Sequence, residues 1–171
     1  MKGYVQVYTG NGKGKTTASL GLSLRAAGAG LKVFIAQFMK KGNYSEIKAL
    51  ERFSDLITIK QYGSGCFVKG KPTTADINIC MKGFEDTKAA VISGEYDVVI
   101  IEEGNIAVKY GLLPLKEFLD LIEMKPENVE IVITGRFASK EIIDKADLVT
   151  EMIEVKHYFK KGIHARVGIE R

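Results

Sequence analysis

A chain of 171 residues that is 46% hydrophobic and 27% charged can bury one full core, and its composition excludes a disordered or fibrous protein. Its formal charge of +4 suits an anionic small molecule such as a polyphosphate and is too weak to argue for nucleic acid. Strand-length apolar runs, no signal-peptide core in MKGYVQVYT, and two cysteines (Cys66 and Cys80) without C-x-x-C spacing lead us to expect a cytoplasmic protein with reduced thiols and no membrane span.

In chain order, six β-rich runs alternate with helical patterns. The strands are expected at 4–9, 31–37, 56–61, 96–102, 129–135 and 147–153. Several are nearly continuous apolar runs, as when both faces of a strand are covered. A helix is expected over 15–28, with Ala18, Gly21, Leu22, Arg25 and Ala29 on one face and Gly28 and Gly30 stopping it. A second follows over 76–93, with Asp76 as N-cap and Ile77, Cys80, Met81, Phe84 and Val91 at helical spacing. Pro114 opens a third over 114–124, where Leu115, Phe118, Leu119 and Ile122 form the apolar stripe, and 139–146 gives a shorter fourth. The alternation predicts an α/β fold in a single domain spanning 1–171: a mostly parallel six-stranded sheet with helices on both faces. Ligands should then bind in the loops beyond the C-terminal strand ends, at 9–16, 37–45, 62–75, 102–113, 134–139 and 154–165.

The first of those loops is TGNGKGKTTAS, Thr9 to Ser19. It lies between a strand and a helix, the context of a phosphate loop, and predicts a P-loop NTPase (RecA-like) fold. The usual spacing is G-x-x-x-x-G-K-[ST]; from Gly10 the loop runs G-x-x-x-G-K-T, one residue short. Glycines allow the N–H groups to point inward, and the helix dipole favours an anion. Lys15 can reach terminal phosphates and the Thr16 hydroxyl can hold Mg²⁺. A dinucleotide fingerprint is excluded, because after Gly10 and Gly12 its third glycine would fall on Lys15. The strand DVVIIEE (97–103) ends in Glu102 and Glu103. One of these carboxylates can hold Mg²⁺ opposite Thr16; the alternative is two solvated glutamates at a strand end.

Common P-loop chemistry fits poorly. There is no N-K-x-D for guanine, and Arg25, Arg52, Arg136 and Arg166 are scattered rather than grouped into a kinase lid. The chain instead resembles the ATP:corrinoid adenosyltransferases of the CobA/BtuR type along nearly its whole length. The resemblance rests on VYTGNGKGKTTASLGLSLRAAGAG (7–30), AQF (36–38) with KG (41–42), VVIIEE (98–103), ITGR (133–136) and VKHYFKKGIHARVGIE (155–170).

That resemblance implies transfer of the 5′-deoxyadenosyl group of ATP to the Co(I) centre of a reduced corrinoid, cobalamin or cobyrinic acid diamide, in cobalamin biosynthesis. Triphosphate is the second product. It implies a reversed ATP, with the γ-phosphate where other P-loop proteins hold the α-phosphate. It also implies a homodimer, and a flavoprotein or other electron donor as partner. Carried over by position, Gly10, Asn11, Gly12, Lys13, Gly14, Lys15, Thr16 and Thr17 form the ATP loop, and Glu102 and Glu103 the acidic pair, with Glu replacing Asp at the first. Arg136 is placed either to reach nucleotide or phosphate, or for a surface ion pair. Lys156 and His157 match a basic motif and are assigned with Cys66, Phe67 and Val68 to the corrinoid side, although His157 beside Tyr158 and Phe159 equally suits a packed structural histidine.

The departure lies on the corrinoid side. The family pattern G-F-x-W, which helps strip the lower axial ligand, corresponds to SGCFVKGKPTTAD (64–76). Cys66 falls at the Phe position, Val68 at the Trp position, and Phe67 is displaced by one; the chain has no Trp. Either the device is rebuilt around Cys66, Phe67 and Val68, or the corrinoid lacks a bulky lower ligand, or the stretch is a surface loop. The leading segment of longer family members is also expected to be missing. Two readings compete: a P-loop small-molecule kinase or phosphohydrolase, and a non-catalytic ATP-gated corrinoid-binding protein.

Overall fold

The computed structural model describes residues 2–64 and 71–170. Its six strands are β1 (Val5–Thr9), β2 (Val33–Phe38), β3 (Ile57–Tyr62), β4 (Val98–Glu102), β5 (Glu130–Thr134) and β6 (Leu148–Glu151). They form one sheet in the order β3-β2-β4-β5-β1-β6. Every pairing is parallel, so the sheet is wholly rather than mostly parallel.

The continuous apolar runs are explained by coverage of both faces. On β4, Val99 and Ile101 enter one core cluster while Val98 and Ile100 enter the other. On β2, Phe34, Ala36 and Phe38 oppose Val33 and Ile35 in the same way. The helices are α1 (Lys15–Gly28), α2 (Ser45–Leu50), α3 (Thr74–Ile92), α4 (Gly104–Lys109), α5 (Leu115–Glu123) and α6 (Lys140–Lys145). Residues of α1 and α2 complete one cluster, and residues of α3, α4, α5 and α6 the other. Each fully buried Phe or Ile in these layers contributes roughly 1.5–3 kcal/mol by leaving water. Among the described residues, no helix is long and apolar enough to cross a membrane.

Three expectations need correction. The buried face of α1 is Ser19, Leu20, Ser23, Ala26 and Ala27, whereas Gly21, Arg25 and Ala29 are exposed. The serines are tolerated inside because each hydroxyl donates back to a carbonyl of its own helix, Ser19 to Thr16 and Ser23 to Leu20. A pattern that counts only apolar residues misses such a face. The N-cap of α3 is Thr73 rather than Asp76. Thr73 Oγ1 accepts from the Asp76 N–H at 3.2 Å, and the Asp76 carboxylate accepts from the Thr73 N–H at 3.1 Å, a closed capping box. Pro114 is extended and stands at the N-cap of α5, one residue before the helix.

Strand β6 is an edge strand with all four residues exposed. Its continuation nevertheless positions the loop after β1: the Met152 N–H donates to Thr9 O at 2.9 Å, and the Gly12 N–H donates to Met152 O at 2.7 Å.

Candidate active site

The loop Gly10–Gly14 lies against the chain leaving β6, which explains its glycines. A Cβ at Gly10 would come within 2.4 Å of Met152 O, and one at Gly12 within 2.7 Å of the same atom and 2.9 Å of Ile153. Gly14, at φ 123°, caps α1 with no side chain, and the first turn of α1 carries no acidic residue. The N-terminal amides of α1 therefore have no side-chain cap, whereas α3 is closed by its own capping box.

Lys15 is buried and folds back onto the loop. Its Nζ donates to Gly10 O at 2.7 Å and Gly12 O at 2.8 Å. Burial pulls its pKa below the ordinary lysine value. Lys13 points elsewhere: its ammonium pairs with Glu170 at 2.8 Å and donates to the Tyr158 hydroxyl at 3.0 Å. Arg166 joins the same carboxylate at 3.1 Å. Asn11 and Thr17 are exposed beside the loop.

At the neighbouring strand ends, Glu102 is fully buried. The register places it beside Gln37, and Gln37 beside Gln61. A chain of amides follows: the Gly42 N–H donates to Gln61 at 3.0 Å, Gln61 to Gln37 at 3.1 Å, and Gln37 to Glu102 Oε2. The other oxygen, Oε1, accepts from Lys40 Nζ at 2.7 Å. The same ammonium lies 3.5 Å from Thr16 Oγ1. Burial disfavours the charged Lys40, but the Glu102 carboxylate outweighs it and raises the lysine pKa.

Glu103 adopts a left-handed backbone, φ 58°, immediately after β4, and its N–H donates to Thr134 Oγ1 at 3.1 Å. Its Oε2 is buried without a hydrogen-bond partner among the described residues, as is Asn105 Oδ1. Burial raises the Glu103 pKa, and the charges of Lys40, Lys15 and Arg136 offset this only in part. The left-handed non-glycine residues described are Met39, Glu103 and Phe137, and each lies just beyond β2, β4 or β5. Strain of this kind, roughly 1–3 kcal/mol per residue, gathers where a site must be held in shape.

The structure thus brings Thr16, Glu102 and Lys40 together, with Glu103 beside Glu102 in the chain. Arg136 is exposed on the loop after β5 and has no ion pair with any described residue. His157 Nδ1 accepts from the Phe159 N–H at 3.1 Å, capping the 3₁₀ turn Tyr158–Lys161, and Lys156 is exposed. Both line a cavity of about 340 Å³ with Gly12, Lys13, Ile153 and Tyr158. Cys66, Phe67 and Val68 lie outside the described residues.

Lys40 stands outside the motifs read from the sequence, and Gln37 and Glu170 lie inside AQF and the 155–170 stretch with no individual role assigned to them. Lys40 sits two residues after AQF, a motif whose register opposite β4 could have marked it. Among the described residues, no cluster of three His, Cys, Asp or Glu side chains is placed to hold a metal. A hard cation here would rely on the Thr16 hydroxyl, the Glu102 and Glu103 carboxylates and oxygens of a bound phosphate, a set suited to Mg²⁺.

A family model described as ATP:corrinoid adenosyltransferase BtuR/CobO/CobP matches residues 1–171. The corrinoid adenosyltransferase of Pseudomonas aeruginosa is 35% identical over 170 residues, covering 99% of this chain and 84% of the relative. Corrinoid adenosyltransferase CobA of Salmonella typhimurium is 34% identical over 171 residues, with 99% and 86% covered. The corrinoid adenosyltransferase of Escherichia coli is 33% identical over 171 residues, with the same coverage of 99% and 86%.

Proposed function

The chain belongs to the ATP:corrinoid adenosyltransferase family, and from that premise we propose that it transfers the 5′-deoxyadenosyl group of ATP to the Co(I) centre of a reduced corrinoid, releasing triphosphate. In the structure, the observation that supports this is the short loop Gly10–Gly14 running into a helix N-terminus without a side-chain cap, with Thr16 and the buried Glu102 both beside the Lys40 ammonium.

The electron pair of Co(I) forms the bond to C5′, the C5′–O5′ bond breaks, and its electrons leave on the triphosphate oxygen. Cobalt ends formally oxidised by two electrons. Because the nucleophile is already strong, no base is needed. The protein's tasks are alignment of C5′ and stabilisation of charge on the leaving group. Amides at the start of α1 and the Lys15 ammonium would grip the triphosphate, for which Lys15 gives up the Gly10 and Gly12 carbonyls. A loop one residue short suits a grip on the far end of the triphosphate, with C5′ exposed and the ATP reversed. Arg136, with no ion pair to a described residue, is available to the same anion.

The orphaned Glu103 Oε2 and the buried Glu102 carboxylate fit Mg²⁺ or its bound water. When bound, Mg²⁺ would neutralise charge growing on the triphosphate. Lys13 would join only after leaving Glu170. The reading extends to a single cytoplasmic domain that works as a homodimer with a flavoprotein or other electron donor. Exposed Leu148 and Val149 on the β6 edge offer apolar surface to a second copy. The family match does not favour a kinase, a phosphohydrolase or a non-catalytic binder.

The test mixes the protein with MgATP and a chemically reduced Co(I) corrinoid. Growth of the cobalt–carbon spectrum with equimolar triphosphate is expected. ADP with phosphate would contradict the proposal, as would tight binding of both ligands without transfer.

A further inference from the structure

Lys40 has an unusual setting for a loop lysine. Its side chain is only 20% exposed, and its ammonium contacts the two side chains best suited to hold a metal, Glu102 at 2.7 Å and Thr16 at 3.5 Å. The backbone beneath it is built for that position. Met39 turns the chain at φ 58°, and its N–H donates to Tyr62 O at 2.8 Å. Gly63 lies so close that a Cβ there would stand 2.6 Å from Lys40 N and 2.8 Å from Lys40 O. On the far side the Gly42 N–H is tied to Gln61. The main chain is therefore fixed, and only the long side chain is free to swing.

Glu102 needs this partner. A buried carboxylate held by one neutral amide from Gln37 is strongly disfavoured without a cation. Yet an ammonium and a divalent cation compete for one carboxylate oxygen, since their mutual repulsion grows steeply in a partly dry site. When the metal takes Glu102, Lys40 must leave, and the incoming phosphates are the anions that can receive it.

We propose that Lys40 is the exchangeable counter-ion of the metal carboxylate: it neutralises Glu102 while the nucleotide site is empty and passes to the triphosphate when the metal arrives with ATP. This rests on the reading of Glu102 as a metal ligand. It makes metal and nucleotide binding interdependent, because a metal ion alone offers Lys40 no new anion.

The test is binding of Mn²⁺ to the full chain without nucleotide, read from the loss of the free-ion electron paramagnetic resonance signal. Wild type should bind weakly, and Lys40→Met at least about ten-fold more tightly, since a competing positive charge is gone. Adding Glu102→Gln to Lys40→Met should abolish that gain. ATP affinity of Lys40→Met should fall about ten-fold, as expected for the loss of one phosphate contact. Lys40→Gln, which keeps a donor for Glu102, supplies the same comparison should Lys40→Met fail to fold. Unchanged Mn²⁺ affinity in both Lys40 variants, with Glu102→Gln weakening Mn²⁺ binding in the presence of ATP, would overturn the exchange and leave the metal reading intact. Unaltered Mn·ATP binding in Glu102→Gln would overturn both.

Discussion

Replacing Glu103 by Gln separates the stability of the free protein from its function. Glu103 places a carboxylate oxygen in the interior with no hydrogen-bond partner among the described residues, and burial raises its pKa above the ordinary value of 4.5. An acid whose pKa is raised on folding stabilises the fold only while protonated. That contribution is complete below the unfolded pKa and is lost as pH rises through the folded value. Above its raised pKa the ionised group therefore works against folding. An unsatisfied buried acceptor costs about 1–3 kcal/mol, and Lys40, Lys15 and Arg136 offset part of this. A glutamine amide solves the problem incompletely, so Glu103→Gln should gain about 1 kcal/mol at neutral pH. For a chain of this size that raises the melting temperature by roughly 2–4 °C. The assay is thermal unfolding of ligand-free wild type and variant at about pH 4.5 and about pH 7.5, beside adenosyl transfer under reducing conditions. We expect the gain to be present at the higher pH, to shrink at the lower, and to accompany lost transfer. A variant that melts below wild type at neutral pH, or an equal shift at both, would refute the reasoning.

Lys15→Ala should abolish ATP-dependent transfer with the far-ultraviolet circular dichroism unchanged; activity within a few-fold of wild type would mean that the phosphates bind elsewhere. Gly12→Ala forces a Cβ to 2.7 Å from the Met152 carbonyl, a rigid backbone group, and should collapse ATP affinity measured by calorimetry. Wild-type affinity would show that the loop and the β6 continuation can separate. Arg136→Ala should raise the KM for ATP by about ten-fold and leave the melting temperature unchanged, because no ion pair with a described residue is lost. A fall in melting temperature without a kinetic effect would make Arg136 structural.

The strands were legible to within two residues at each end, most clearly where both faces are buried and the run is continuously apolar, as over Val98–Ile101 in β4. Among the six-residue helices, α6 was legible at 139–146 but α2 and α4 were not: Ser45–Leu50 and Gly104–Lys109 lack the side-chain N-cap that Ser139 gives α6. The face of α1 was misread because buried Ser19 and Ser23 satisfy themselves within the helix. The glycine loop and the acidic pair carry their chemistry in local spacing. Lys40 does not: its meaning depends on Glu102, a contact across 62 positions made by strand register and by the close approach of Gly63. Lys13 likewise reads as a phosphate ligand until Glu170 folds back upon it from 157 positions away.

The central claim is attack at carbon, and one labelling experiment addresses it. ATP carrying heavy oxygen at the 5′ bridging position is given to the protein with Mg²⁺ and reduced corrinoid, and both products are analysed by mass spectrometry. Cleavage of C5′–O5′ predicts that all the label leaves in intact triphosphate and none stays with the adenosyl group. Label retained on the adenosine side, with phosphate or ADP as the other product, would contradict it.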